Sequence, residues 1–157
     1  MLKPDSLTFE QAAAIPQAAV LALQGIRDKG RVQPGKKVLI NGAGGGAGTF
    51  AVQFAKLFGA EVTGVDNNEK EHLMRSLGAD HTIDYKQEDF SQGGQVYDVI
   101  FDAVGKTTSD QRKRAMKDDG CFVSVSSMAS GASENINRVV ELAESGHLKP
   151  VIDRHYA

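Results

Sequence analysis

Residues 38–48 have the sequence VLINGAGGGAG, in which a short apolar run leads directly into a glycine-rich turn. A continuous apolar run such as Val38-Leu39-Ile40 is typical of a strand that is covered on both faces. Apolar residues then recur at helical spacing from Ala47 to Phe58, and Gly59 is placed to end that helix. The segment therefore predicts a strand, a tight turn, and a helix that begins inside the turn.

The position of these glycines indicates what the turn could bind. Between a buried strand and the start of a helix, backbone amides can face an anion, and missing Cβ atoms allow close approach. The spacing fits a dinucleotide-binding pattern as Ala43, Gly45 and Gly48, or as Gly42, Gly45 and Gly48. Asp66 follows about 20 residues later, at the end of the next predicted strand, where such folds place an acid for the adenosine ribose.

Two other interpretations of the same residues stay open. Asp66 could cap the helix predicted from Glu69, although the two intervening asparagines could do so as well. A methyltransferase that binds S-adenosylmethionine also combines a glycine turn with an acid after the second strand. A phosphate-loop NTPase is excluded, because Gly48 is followed by Thr49-Phe50 and not by lysine with serine or threonine. None of the three tyrosines has a lysine four residues later, which excludes short-chain reductases.

Outward from this unit, the chain alternates short strands with helices. Further strands are predicted at residues 61–65, 81–84, 96–102 and 121–126, and helices at 17–29, 69–77, 109–116 and 133–146. Alternation of buried strands with helices is typical of a parallel sheet. We therefore predict a single-domain α/β fold, with a Rossmann-type parallel sheet and helices on both faces.

Composition narrows the classes of function. The 157 residues are 41% apolar and 24% charged with a formal net charge of −2, so no basic excess points to nucleic acid or an anionic membrane. No apolar stretch approaches the roughly 20 residues that span a bilayer, and the start lacks a secretory signal. We therefore expect a cytoplasmic protein. The lone Cys121 excludes an internal disulfide, and the four histidines lack metal-ligand spacing, so no zinc is expected on this chain.

With these residues in view, the chain resembles the medium-chain dehydrogenase/reductase superfamily, and within it the quinone-reductase-like and zinc-type alcohol dehydrogenase branches. The resemblance is carried by residues 38–48 together with AVQFAK at 51–56, LGADH at 77–81, YDVIFDAVG at 97–105 and LKPVID at 148–153. It covers the family's cofactor domain only, which in the family is inserted into a separate catalytic domain. It implies a helical lead-in at 1–35, a dinucleotide-binding domain at 36–148, and the start of the return to the catalytic domain at 149–157.

The resemblance implies an NAD(P)-dependent oxidoreductase that transfers hydride between nicotinamide and a quinone/enone or an alcohol/carbonyl substrate. The glycine pattern favours the zinc-free, quinone-reductase-like branch. Because the catalytic groups would lie outside these residues, we expect the fragment to bind cofactor without turnover. A non-catalytic redox sensor and an S-adenosylmethionine-dependent methyltransferase are the alternatives. The resemblance also implies a homodimer through sheet edges, although the usual sixth strand is missing between Ser127 and Ser133, which would expose the fifth strand.

By position, the resemblance also implies the cofactor contacts. The glycine turn would face the pyrophosphate and Asp66 the adenine ribose. Lys70 and Tyr85 match positions that contact the 2′-phosphate in members that use NADPH, but the Asp66 carboxylate would repel that phosphate, so NAD(H) is favoured over NADP(H). Val104, Gly105, Ser126 and Ser127 would line the nicotinamide half. The predicted set is Gly42, Ala43, Gly44, Gly45, Gly46, Ala47, Gly48, Asp66, Lys70, Tyr85, Val104, Gly105, Ser126 and Ser127, with no catalytic residue.

Overall fold

The computed structural model describes residues 16–125, in which strands and helices alternate. The strands are β1 Lys37–Asn41, β2 Glu61–Asp66, β3 His81–Asp84, β4 Tyr97–Asp102 and β5 Met116–Ser124. The α-helices are α1 Pro16–Leu23, α2 Gly46–Leu57, α3 Glu71–Ser76 and α4 Ser109–Ala115. A π-helical segment, Gln24–Lys29, continues α1, and a 3₁₀ turn, Asn68–Lys70, precedes α3.

The five strands form one parallel sheet in the order β3-β2-β1-β4-β5. From β1 the chain first builds outward through β2 and β3, and it then crosses back to add β4 and β5 on the other side of β1. The strand order therefore reverses between β1 and β4. In sheets of this kind a crevice opens at the carboxyl ends of those two strands, and ligands bind there.

The sheet has a hydrophobic core on each face. Because side chains alternate along a strand, Ile40 of β1 packs toward α1 and α2, whereas its neighbour Leu39 packs toward the opposite face. Phe50 and Phe54 of α2 belong to the first core, and Ala115 of α4 belongs to the second. The predicted α/β fold with a parallel sheet and helices on both faces is confirmed.

The fifth strand differs from its prediction, which placed a helix through Met116 and began the strand at Cys121. In the structure Met116 already pairs with Tyr97, and Cys121 pairs with Val99 after a register shift. Residues 117–120 form this irregularity, since these four residues on β5 oppose the single residue Asp98 on β4. The polar Asp118-Asp119-Gly120 run has low strand propensity, which is why the sequence pattern misses the early start.

Some predictions fall on residues that the structure does not describe. They concern the helix at 133–146, the strand end at 126, the missing sixth strand and the boundary near 148. Among the helices of residues 16–125, none combines the length and the apolar character needed to cross a bilayer.

Candidate functional site

Backbone hydrogen bonds fix the shape of the glycine turn. The amides of Gly42 and Ala43 donate to the carbonyl oxygen of Val65 at 2.8 and 3.1 Å, and the Gly45 amide donates to the Gly42 carbonyl at 3.0 Å. Gly42 has a φ of 83°, in the left-handed region that favours glycine. The chain therefore leaves β1, turns across the carboxyl end of β2 and enters α2.

The amino end of α2 carries amides that have no partner within the helix. The first helical bond joins the Thr49 amide to the Gly45 carbonyl at 2.9 Å, so the amides of Gly46, Ala47 and Gly48 precede the hydrogen-bonding pattern. The N-cap is Gly45, and no side chain caps this end. Such a helix start favours an anion, because its amides and the helix dipole both present positive charge.

The glycines of the turn differ in what a side chain would meet. A Cβ atom at Gly48 would overlap the backbone carbonyl of Gly42. At Gly45 the same oxygen lies 3.4 Å from the Cβ position, and no other atom is recorded within 4 Å among residues 16–125. Gly48 is therefore required for the close approach of α2 to the turn, whereas Gly45 faces open space.

Asp66 links the end of β2 to the glycine turn. Its Oδ2 accepts a hydrogen bond from the Gly44 amide at 2.9 Å, and its Oδ1 accepts one from the Asn67 amide at 2.8 Å. The following 3₁₀ turn is capped by Asn67, whose side chain accepts from the Lys70 amide at 3.2 Å. The helix-cap interpretation of Asp66 is therefore wrong, and its carboxylate lies beside the turn.

A cavity of about 360 Å³ opens beside the turn, at the carboxyl ends of β1, β2 and β4. Four of the predicted site residues, Gly42, Asp66, Tyr85 and Val104, contribute to its lining. Tyr85 and Val104 are 58% and 51% exposed, so their surfaces are accessible to a ligand. The remaining lining residues are Asn41, Val65, Glu88, Asp89, Phe90, Lys106 and Gln111.

The other predicted site residues lie at the margin of this cavity or outside the described chain. The Lys70 side chain packs against Gly44, where an added Cβ atom would lie 2.8 Å from it. The Gly105 amide points inward and donates to Asp102. Ser126 and Ser127 fall outside residues 16–125.

Asp102 is a polar residue of this region that is absent from the predicted site. It ends β4, is 1% exposed, and accepts five hydrogen bonds. Burial alone would raise the pKa of Asp102, but the hydrogen bonds from Thr107, Val104 and Gly105 outweigh it and hold the pKa below its ordinary value. The carboxylate is therefore charged at neutral pH. The sequence signal that could have identified Asp102 is an acid followed closely by Gly105 and two threonines.

Acid should weaken the fold through such carboxylates. Asp98 lies at the opposite end of β4. Burial raises its pKa, but the hydrogen bonds from the Lys37 amide and Lys117 lower the pKa by more than burial raises it. A depressed pKa adds stability above the ordinary aspartate value of about 3.9, and that stability is lost as the pH falls through the folded-state pKa.

We therefore expect the free energy of unfolding to fall as the pH is lowered from about 5 to about 3. The fall should be shallower in Asp98→Asn, because an amide has no proton to gain. Urea unfolding at a series of pH values measures both slopes, and equal slopes would contradict the role given to Asp98.

Comparisons with known proteins agree with this geometry. Residues 46–147 match the family described as zinc-binding dehydrogenase. The chain is 34% identical over 163 residues to the 2-methylene-furan-3-one reductase of Solanum lycopersicum, covering 97% of this chain and 41% of that protein. It is 33% identical over 163 residues to the chloroplastic NADPH-dependent alkenal/one oxidoreductase of Arabidopsis thaliana, covering 97% and 42%. The solved quinone oxidoreductase of Coxiella burnetii superposes with a TM-score of 0.89 at 28% identity, covering 98% and 55%.

The chain belongs to the zinc-binding dehydrogenase family, within the medium-chain dehydrogenase/reductase superfamily that its sequence resembles. It spans between 41% and 55% of the length of these three relatives. Among residues 16–125, no group of three histidine, cysteine, aspartate or glutamate side chains is placed to hold a metal ion. Residues 16–125 therefore contain no candidate zinc site, although the family is named for zinc. That the whole chain binds no zinc stays a prediction.

Proposed function

We propose that this chain is the nicotinamide-dinucleotide-binding domain of an oxidoreductase that acts on a quinone/enone or an alcohol/carbonyl substrate. One observation carries the proposal: α2 begins without a side-chain cap, and the Gly44 amide in the turn before it donates to the Asp66 carboxylate, at the end of the sheet where the strand order reverses. The names of the reductase relatives support the same class. The dinucleotide, when bound, supplies the hydride chemistry, and the protein binds and orients it.

In the proposed arrangement, the amides of Gly46, Ala47 and Gly48 bind the pyrophosphate, as partner-free donors at a helix start can. The Asp66 carboxylate accepts hydrogen bonds from the adenosine ribose, since each of its oxygens has lone-pair capacity beyond the one backbone bond it accepts. The cavity that Tyr85 and Val104 line takes the adenosine half. Val104 is thereby moved from the nicotinamide half, to which the resemblance assigned it, because it shares this cavity with Asp66. The nicotinamide half extends past Gly105 toward the carboxyl end of β5, which Ser126 and Ser127 follow.

We also propose that NAD(H) is preferred over NADP(H). The Asp66 carboxylate would lie close to a 2′-phosphate, and Glu88 and Asp89 add negative charge to the same cavity. Lys70 beside Gly44 and Lys106 on the cavity wall offset part of that repulsion. Because the Arabidopsis relative is named as NADPH-dependent, these side chains, and not family membership, decide the preference.

Asp66→Ser should therefore shift the preference toward NADPH. We expect the ratio of the NADPH and NADH dissociation constants to fall by about tenfold, equivalent to roughly 1.4 kcal/mol. Asp66→Asn keeps an acceptor for the Gly44 amide without the charge and should shift the ratio in the same direction. Asp80→Asn removes an equal charge at the other end of β2, where Asp80 accepts from the Val62 amide, and should leave the ratio unchanged. A ratio that Asp66→Asn does not move would contradict the electrostatic explanation.

Titration of the 157-residue chain tests the proposed function. Saturable enhancement of NADH fluorescence, with weaker binding of NADPH and none of S-adenosylmethionine, supports it. Binding of S-adenosylmethionine without NADH would replace it with the methyltransferase alternative.

We further propose that the domain boundaries lie at residues 35 and 148, and that the chain binds cofactor without turnover. Steady NADH oxidation by the chain on addition of a quinone would contradict that last point.

A further inference from the structure

We propose that Asp102 is a positioning residue that couples the glycine turn to the loop after β4 and thereby sets the affinity for the dinucleotide. The part of this proposal that concerns affinity rests on the proposed function of the site. Asp102 itself is buried and does not line the cavity. It therefore acts through the residues that it holds in place.

The first connection runs to the end of β1. The Nδ2 of Asn41 donates to the Oδ1 of Asp102 at 3.1 Å, and Asn41 is the residue that directly precedes Gly42. The backbone makes a parallel link, since the Ala103 amide donates to the Asn41 carbonyl at 2.9 Å. The strand end that leads into the glycine turn is thus tied to Asp102.

The second connection runs to the loop after β4. The amides of Val104 and Gly105 donate to Oδ1 at 3.0 and 2.9 Å. Thr107 donates to Oδ2 from its amide at 3.0 Å and from its hydroxyl at 2.8 Å. Both carboxylate oxygens therefore accept hydrogen bonds from this loop.

The two connected segments meet at the cavity. A Cβ atom at Gly42 would lie 2.8 Å from the Cγ2 of Val104, so the Val104 side chain rests directly against the turn. Val104 and Gly42 both line the cavity. A change in the loop that Asp102 holds would therefore move the cavity wall relative to the turn.

A neutral amide cannot replace this carboxylate. An asparagine at position 102 accepts hydrogen bonds at one terminal atom only, so its amide nitrogen would face donors either at Thr107 or at Val104 and Gly105. The facing donors would then be left unsatisfied in a buried site, which is costly. We expect the loop to shift or loosen in Asp102→Asn, even though the two side chains have nearly the same size.

Asp98→Asn is the matched control, because Asp98 lies at the other end of the same strand and is also hydrogen-bonded, to the Lys37 amide and to Lys117. Amide hydrogen exchange on the free chain measures the coupling. It should accelerate at least about tenfold at Val104 and Gly105 in Asp102→Asn and remain unchanged there in Asp98→Asn. The NADH dissociation constant should rise about tenfold or more in Asp102→Asn only.

Wild-type exchange at Val104 and Gly105 in Asp102→Asn would overturn the proposal, and so would an NADH affinity reduced equally by both variants. If Asp102→Asn does not fold, the same exchange and affinity measurements on Thr107→Val test the proposal. This variant removes one hydroxyl donor and should produce smaller changes in the same direction, and unchanged exchange would overturn the coupling. If the wild-type chain does not bind NADH, the proposed function fails, while the exchange data on the free chain still decide the coupling.

Discussion

Gly45→Val is expected to abolish dinucleotide binding while leaving the fold intact. Among the described residues the Cβ position at Gly45 meets one atom, the Gly42 oxygen at a contact distance of 3.4 Å, so the Cβ atom of the new side chain is accommodated. The backbone there is extended, with φ −92° and ψ −175°, which any residue adopts. The valine methyl groups would instead enter the open space at the start of α2, where the pyrophosphate is proposed to bind. We expect the NADH dissociation constant to rise about 100-fold or more, equivalent to roughly 3 kcal/mol.

Gly93→Val is the matched control for this prediction. Gly93 lies in the loop before β4, and a Cβ atom there meets no atom of the described part of the chain within 4 Å. It should change neither NADH affinity nor the free energy of unfolding. Circular dichroism and urea unfolding show whether Gly45→Val keeps its fold, and fluorescence titration measures its affinity. Normal NADH binding by Gly45→Val would mean that the glycine segment is only a turn.

Gly48→Ala, in contrast to Gly45→Val, is expected to destabilise the fold itself. Its Cβ atom would overlap the Gly42 carbonyl and approach the Ala43 Cα atom to 2.9 Å. These are backbone atoms held by the hydrogen bonds to Val65, so they cannot move aside cheaply. We expect a loss of roughly 3 kcal/mol or more in the free energy of unfolding.

The control for Gly48→Ala comes from the same helix turn. A Cβ atom at Gly46 would have its nearest neighbour, the Ala18 Cβ, at 3.9 Å, and alanine favours a helix over glycine. The free energy of unfolding of Gly46→Ala should therefore lie within about 0.5 kcal/mol of the wild-type value, or slightly above it. Urea unfolding with a constant m-value measures both variants. Equal stabilities for the two would contradict the role given to Gly48.

The order of the elements could be predicted because it follows from side-chain periodicity. The apolar run at 38–40 and the strand predicted at 61–65 match β1 and β2 to within one residue at each end. The early start of β5 could not be predicted, because Met116 is separated from Cys121 by residues of low strand propensity. The pairing that extends the strand comes from β4, through Tyr97, and is not encoded in the neighbouring residues.

The first helix illustrates a second limit of the sequence. Helical spacing continues to Lys29, but the structure changes to π-helical geometry at Gln24, and the Gly30 amide bonds back to the Gly25 carbonyl at 2.8 Å. A side chain at Gly25 would overlap the ring of Phe101, so the close approach of this turn to the sheet depends on a contact across 76 positions of the chain. Propensity within the helix carries no information about such a contact.

The position of the glycine turn and of Asp66 could be predicted from the sequence, but the different structural role of each residue could not. The glycine pattern and Asp66 could be located from spacing, yet spacing does not distinguish Gly45, which faces open space, from Gly48, which packs on backbone. Asp102 gave no periodic signal, because its five donor groups lie at the end of β1 and in the loop after β4. Four of these donor groups lie within five residues of Asp102, and only the Asn41 amide is brought to the carboxylate by tertiary structure.

The most direct test follows the amide resonances of Gly46, Ala47 and Gly48 during titration with NADH, with ADP-ribose and with adenosine. These three amides should shift on addition of NADH and of ADP-ribose, which both carry the pyrophosphate, and should stay in place with adenosine. Saturable NADH binding that leaves all three resonances unmoved would contradict the account, because the diphosphate would then be held elsewhere.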